Sequence, residues 1–180
     1  MPFSTKLSFS TLFHYFFTYF VASFNQKYYI CTVESAHFMQ ATGLSNELKV
    51  SRNDISTYLL YMEKAGMIGQ LRDETGGMRG LGKTDKVYLD NPNLIYALSG
   101  DHANIGNIRE TFFYNQTRLT EDVITSKVSD FTIGKYTFKV GGAKKSHKQI
   151  KNVPHSYVVR DDVEYANSDI LPLWSFGLLY

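Results

Sequence analysis

Residues 76–84 read GGMRGLGKT, and from Gly77 they satisfy the phosphate-binding pattern G-x-x-x-x-G-K-T in full. No other short stretch constrains the chain so tightly, because a phosphate loop works in one structural setting. Its backbone N–H groups must curl round the phosphates between a buried strand and the first turn of a helix, whose N-terminus supplies positive potential. Upstream, MIGQLRDET offers only Met67, Ile68 and Leu71 before the charged Arg72, Asp73 and Glu74. A buried parallel strand reads instead as a near-continuous apolar run. Downstream, Thr84 leads into Val87, Tyr88 and Leu89, which are good strand residues, and Pro92 stops any long helix. The order strand, glycine loop, strand predicts a β-hairpin whose glycines supply turn conformations at the tip.

Two helical stretches precede this hairpin. LSNELKV places Leu44, Leu48 and Val50 inward, with Ser45 or Asn46 available as a cap. SRNDISTYLLYMEKAGMI starts at Ser51, sets Ile55, Leu59 and Met62 at helical spacing, and closes at Gly66. Two helices, a tight turn and a hairpin make a winged helix-turn-helix over residues 44–90. In a DNA-reading version the second helix offers Arg52, Asn53, Ser56 and Thr57 to base edges or phosphates. Asp54 opposes phosphate, and Lys64 sits near the far end. Arg72, Arg79, Lys83 and Lys86 lie where a wing touches the backbone. Such a module also serves as a protein connector, and both readings stay open.

Composition narrows the remaining classes. The chain has 180 residues with 43% hydrophobic, 20% charged and 15% aromatic residues, a globular balance able to bury a core without disulfides. A net charge of +2 confines any nucleic-acid footprint to local clusters. The lone Cys31 rules out an intramolecular disulfide and a cysteine-rich zinc site, and a reducing cytoplasm is the expected compartment. Residues 11–24, TLFHYFFTYFVASF, form an apolar run containing His14 that falls short of the roughly 20 residues a bilayer requires. Lys6 before the run and the small residues Val21, Ala22 and Ser23 fit a signal peptide, but the preferred reading is a buried aromatic helix, or a stretch with no stable structure alone, within a leader over residues 1–43. No membrane contact is expected.

NPNLIYALSG predicts a short connecting helix over residues 91–100, with Asn91 as cap, Pro92 at the first position and Gly100 after the end. NIGNIRETFFYNQTRL continues as a helix carrying Ile105, Ile108, Phe112, Phe113 and Glu110, followed by strand-like DVITSK, DFTIG, KYTFKV and SYVVR. In KYTFKV, Tyr136, Phe138 and Val140 share one face and Lys135, Thr137 and Lys139 the other. Residues 101–180 are therefore expected to form a small α/β domain, and the chain as a whole an α/β (α+β) protein. Lys144, Lys145, His147, Lys148 and Lys151 form the densest basic cluster, which suits a nucleic-acid backbone or a solvated loop equally. The five histidines show no zinc-like spacing. Trp174 and Phe176 are expected as core or interface anchors.

The stretches LSNELKVSRNDISTYLLYMEKAGMIGQLRDETGGMRGLGKTDKVYLDNPNLIYAL, GNIRETFF, SDFTIGKYTFKVGG and LPLWSFGLLY, in this order, resemble the C-terminal half of bacterial AAA-type ATPases common in Bacteroidetes. Proteins of that family carry an N-terminal P-loop ATPase domain, then a winged helix and a restriction-endonuclease-like domain. The resemblance runs from Leu44 to Tyr180 and does not include the ATPase domain, so it implies recognition and not ATP hydrolysis. It also implies a nuclease site for comparison, in which a helix Glu, a strand-end Asp and an acid-x-Lys hold Mg²⁺ and assist the attacking water. Glu110 matches the helix acid and Asp130 the strand acid. The acid-x-Lys position falls at Lys139, Val140 and Gly141, where the family has an acid followed by V-G-G-K and this chain has Lys139 and Ala143. A cation at a ligand position repels Mg²⁺, so Glu110, Asp130 and Lys139 are read as vestiges, with Lys139 or Arg109 as a partner for Glu110 instead. The expectation is a non-catalytic fragment that recognises nucleic acid or protein, with no cofactor. A nucleotide-binding protein or a weak Mg²⁺-dependent nuclease is the alternative.

Overall fold

The computed structural model describes residues 51–74, 84–99, 103–143 and 147–179, all within one compact unit, Cys31–Tyr180. The aromatic leader over residues 1–43 and the first helix expected over residues 44–50 lie outside the described residues. What is described is a mixed α/β structure. Helix α1 (Arg52–Lys64) runs into a hairpin of β1 (Ile68–Arg72) and β2 (Thr84–Leu89). Gly66 takes a left-handed φ of 67° between helix and strand, a conformation glycine adopts at no steric cost. Helix α2 (Pro92–Ser99) follows, its first turn capped by Asn91 Oδ1, which accepts from the Asn93 N–H at 2.8 Å. Helix α3 (Ile105–Thr117) is capped the same way by Asn104, whose Oδ1 accepts from the Gly106 and Asn107 N–H groups. Then come β3 (Val123–Thr125), β4 (Phe131–Ile133), β5 (Tyr136–Gly141), β6 (Ser156–Arg160) and β7 (Ile170–Pro172), and a closing 3₁₀ helix, Leu173–Leu178.

The seven strands form one sheet in the order β2-β1-β3-β4-β5-β6-β7. Its pairings are mixed: β2–β1, β3–β4 and β4–β5 run antiparallel, whereas β1–β3, β5–β6 and β6–β7 run parallel. The link between hairpin and remaining strands is narrow, a single register pair of Arg72 with Ile124. Side chains supplement it. Thr125 Oγ1 donates to Asp85 at 2.6 Å, and Arg118 at the end of α3 pairs with Asp90 at the end of β2.

The hairpin is covered on both faces. Ile68 and Leu89 turn toward α1 and α2, where Leu59, Met62 and Ile95 meet them. Tyr88 and Leu71 turn the other way, into an aromatic core. There α3 places Phe113 at 5.0 Å from Phe131 and 5.3 Å from Phe138, and the 3₁₀ helix adds Phe176 at 4.7 Å. Phe176 is thus an anchor of the core, while Trp174 on the same short helix is 53% exposed.

Gly69 of β1 is where α3 comes closest. A Cβ built there meets Tyr114 Cε1 at 2.5 Å and Arg118 Nη1 at 2.8 Å. The arginine can swing aside, but the buried Tyr114 ring, stacked on Phe131, cannot. Gly69→Ala is expected to lower stability by about 1–3 kcal/mol through overpacking, measurable as a drop in the urea midpoint at unchanged slope; an unaltered midpoint excludes the close approach.

Candidate functional site

The glycine tip comes first. Residues 75–83, including Arg79 and Lys83, lie outside the described residues, but both flanks are described. Upstream is β1, and Thr84, the residue after the lysine, opens β2 and pairs with Arg72. A phosphate loop needs a helix there. The chain provides an antiparallel partner strand, so the expected hairpin setting holds.

Helix α1 leaves one polar side outward. Leu59, Met62 and Glu63 turn toward the hairpin, while Asn53, Ser56, Thr57, Tyr61 and Lys64 are exposed. These five recur at the three- and four-residue spacing that defines one side of a helix. Arg52 opens the same helix. Thr57 Oγ1 donates back to the Asn53 carbonyl at 2.9 Å, which orients its hydroxyl along the helix surface.

Two of the four basic residues expected along the wing are turned inward. Arg72 donates to Glu63 of α1 at 2.6 Å. Lys86 points to the α3 side of β2, its Nζ 3.9 Å from Glu110 Oε2. Their phosphate contacts would have to compete with these carboxylates. In the later basic cluster, Lys148 is exposed in the 3₁₀ turn His147–Gln149; Lys144 and Lys145 fall outside the described residues.

Glu110 and Asp130 are both engaged. Glu110, half-buried on α3, accepts from the Tyr88 hydroxyl at 3.1 Å and faces Lys86. Asp130 Oδ2 accepts from the Val140 N–H at 2.8 Å, while the Asp130 N–H donates to the Phe138 carbonyl at 3.3 Å, closing the β4–β5 edge. Tyr88 registers both acids. Burial first, then the neighbouring Glu110 charge and hydrogen bond, then Asp130, hold its phenol well above its ordinary pKa. Lys139 is buried on β5, on the strand face opposite Phe138 and Val140. Arg109, the other partner considered for Glu110, pairs with Asp161 at 2.5 Å. Among the described residues no group of three or more His, Cys, Asp or Glu could hold a metal ion.

The Tyr88 hydroxyl therefore ties the hairpin to α3. Tyr88→Phe keeps the ring packing and removes only this bond, so a loss of about 1–2 kcal/mol is expected. Glu110→Gln, which can still accept from Tyr88, should cost less. Equal losses in urea unfolding would show that the bond depends wholly on the carboxylate charge.

The carboxyl ends of the parallel strands β5, β6 and β7 are where open α/β sheets place ligands. Here they carry Arg109–Asp161 and Arg160–Asp162, the latter two-pronged at 2.9 and 2.6 Å. Asp162 is held below its usual carboxylate range chiefly by the Arg160 hydrogen bonds. Gly142 lies under the Arg109 guanidinium, whose Cζ, Nη1 and Nη2 stand 3.0 Å from a Cβ built there. The Arg109–Asp161 pair, 52 residues apart, is assembled only by the fold, whereas Arg160–Asp162 is a local pair two residues apart that no sequence motif singled out.

Fold and site together define a mixed α/β protein with a seven-stranded mixed sheet, an exposed polar helix face and a carboxylate pair spent on internal bonds. No family model, curated protein or solved structure matches the chain. No helix among the described residues is long and apolar enough to cross a membrane.

Proposed function

We propose that this chain is a non-catalytic recognition module, corresponding to the C-terminal part of an AAA-type ATP-binding protein, in which α1 and the β1–β2 hairpin act as a winged helix on nucleic acid. One observation carries the reading: α1 is packed on the hairpin by Leu59 and Met62 with its polar residues Asn53, Ser56, Thr57 and Lys64 left outward. A helix held by its apolar side and exposed along its polar side can enter a major groove. The non-catalytic part rests on Glu110 and Asp130, whose oxygens accept protein hydrogen bonds, and on Lys139 standing where a metal-binding acid belongs.

Fluorescence anisotropy with a mixed-sequence DNA duplex tests this. Affinity is expected to fall steeply with salt, and Arg79→Ala with Lys83→Ala should reduce the slope of log affinity against log salt by about 2, roughly one for each phosphate no longer neutralised. An unchanged slope removes the wing tip. No binding even at low salt ends the nucleic-acid reading in favour of a protein partner. Mg²⁺-dependent plasmid cleavage that vanishes in Asp130→Ala would overturn the non-catalytic reading, and nucleotide binding abolished by Lys83→Ala would restore the phosphate loop.

A further inference from the structure

Glu63 is turned away from the exposed face of α1 and reaches into the hairpin with both carboxylate oxygens. Its Oε1 accepts from the Gln70 backbone N–H at 3.1 Å, and its Oε2 accepts from Gln70 Nε2 at 3.1 Å and from the Arg72 guanidinium at 2.6 Å. Gln70 is 6% exposed, and its Oε1 accepts in turn from Thr84 Oγ1 at 2.7 Å. Thr84 is the first residue of β2, where the chain returns from the glycine tip, and its register partner is Arg72, across a break in regular pairing between Leu71 and Arg72.

One carboxylate thus fastens the last turn of α1 directly to β1 and, through the Gln70–Thr84 bond, to β2 at the base of the tip. Beside these bonds, α1 meets the hairpin through the apolar packing of Leu59 and Met62 with Ile68 and Leu89. Apolar contact is non-directional and lets a helix roll or slide at little cost. Hydrogen bonds have fixed distances and angles, and one to a buried group is costly to leave unmade. We propose that Glu63 is the positioning residue of the recognition surface: through Gln70 it sets the rotation of α1 against the hairpin, so that Asn53, Ser56 and Thr57 are presented in a fixed orientation relative to strands β1 and β2. This rests on the recognition reading of α1 and the hairpin.

Spin labels on the exposed α1 residue Thr57 and on Lys127, 84% exposed near the end of β3, report the geometry directly. With Cys31 replaced by Ser, double electron–electron resonance on the full chain should give a narrow distance distribution for the parent and for Glu63→Gln, which keeps an acceptor for the Gln70 N–H. Glu63→Ala should give a broader or shifted distribution while the circular dichroism spectrum of the fold is retained. Duplex affinity should then fall about tenfold in Glu63→Ala and recover most of the way in Glu63→Gln. An unchanged distance distribution in Glu63→Ala overturns the proposal, as does a changed distribution with parent-like duplex affinity. If the parent chain does not bind the duplex, the recognition reading fails, and the distance measurement alone decides whether Glu63 sets the helix. Should Glu63→Ala not fold, Gln70→Leu, which removes the relay to Thr84 and spares the backbone bond, must broaden the same distribution or the relay is wrong.

Discussion

Replacing Phe113 by alanine is expected to lower the unfolding free energy by about 3–5 kcal/mol, the cost of deleting a large ring from a site that cannot collapse. Phe113 is 0% exposed, and Phe131, Phe138 and Phe176, three of its neighbours, come from three different elements. These rings belong to β4, β5 and the 3₁₀ helix, each fixed by its own hydrogen bonds, so the cavity stays largely open. A domain holds only about 5–15 kcal/mol in total, and the variant should approach half-unfolding in mild urea. Phe113→Leu, which retains most of the volume, should lose less. Trp174→Ala, at an exposed position, should fall within about 0.5 kcal/mol of the parent. A small effect at Phe113 together with a large one at Trp174 would contradict an aromatic core centred on Phe113.

The second large effect is alkaline. Burial penalises tyrosinate, so the folded chain keeps its phenol protons more tightly than the unfolded chain does. For Tyr114 burial is the leading cause and pushes the pKa up to about 12 from 10.0, against the lowering influence of Arg118. Tyr88 is raised as well, by burial first and Glu110 next. Both folded values lie above the unfolded one, so the stability these protons contribute is fully present below pH 10 and is lost as pH rises through the folded values. For Tyr114 alone a shift of this size corresponds to about 2–3 kcal/mol. Urea unfolding at a series of pH values should show the loss between pH 10 and about 12, accompanied by tyrosinate absorbance appearing late for two residues. Tyr114→Phe with Tyr88→Phe should flatten the profile. A parent protein equally stable at both ends of that window would show that neither ring is buried.

The two effects share a cause. Tyr88 reaches the core from β2, Tyr114 and Phe113 from α3, Phe131 from β4, and all belong to one cluster that spans the narrow β1–β3 junction. With one register pair joining β1 to β3, the aromatic cluster and the Tyr88–Glu110 and Asp90–Arg118 links hold the hairpin to the other strands.

Local signals settled local questions. The spacing of Leu59 and Met62 against Gly66, the strand character of Val87 to Leu89, the Asn91–Pro92 start of α2 and the alternation of Tyr136, Phe138 and Val140 each act within one or two turns of chain, where sterics and hydrogen-bond reach set the conformation. The context of Gly77–Thr84 was legible for the same reason, since strand or helix after Lys83 is a local choice. The cap of α3 is equally local, and its signal is Asn104 standing before Ile105. The partners of Arg72, Lys86 and Arg109 were not legible. They lie on other elements, and a cation's sequence position says nothing of which carboxylate the sheet brings beside it.

By itself, the sequence determined α1, α2 and α3, the hairpin and the mixed α/β class, because backbone sterics and hydrophobic period act over a few residues. Only the tertiary structure decided that the hairpin joins the later strands in one sheet, that Glu110 and Asp130 serve as internal acceptors, and that Glu63 faces the hairpin. Those outcomes depend on register and strand order, which bring together groups far apart in the chain and which no short-range preference encodes.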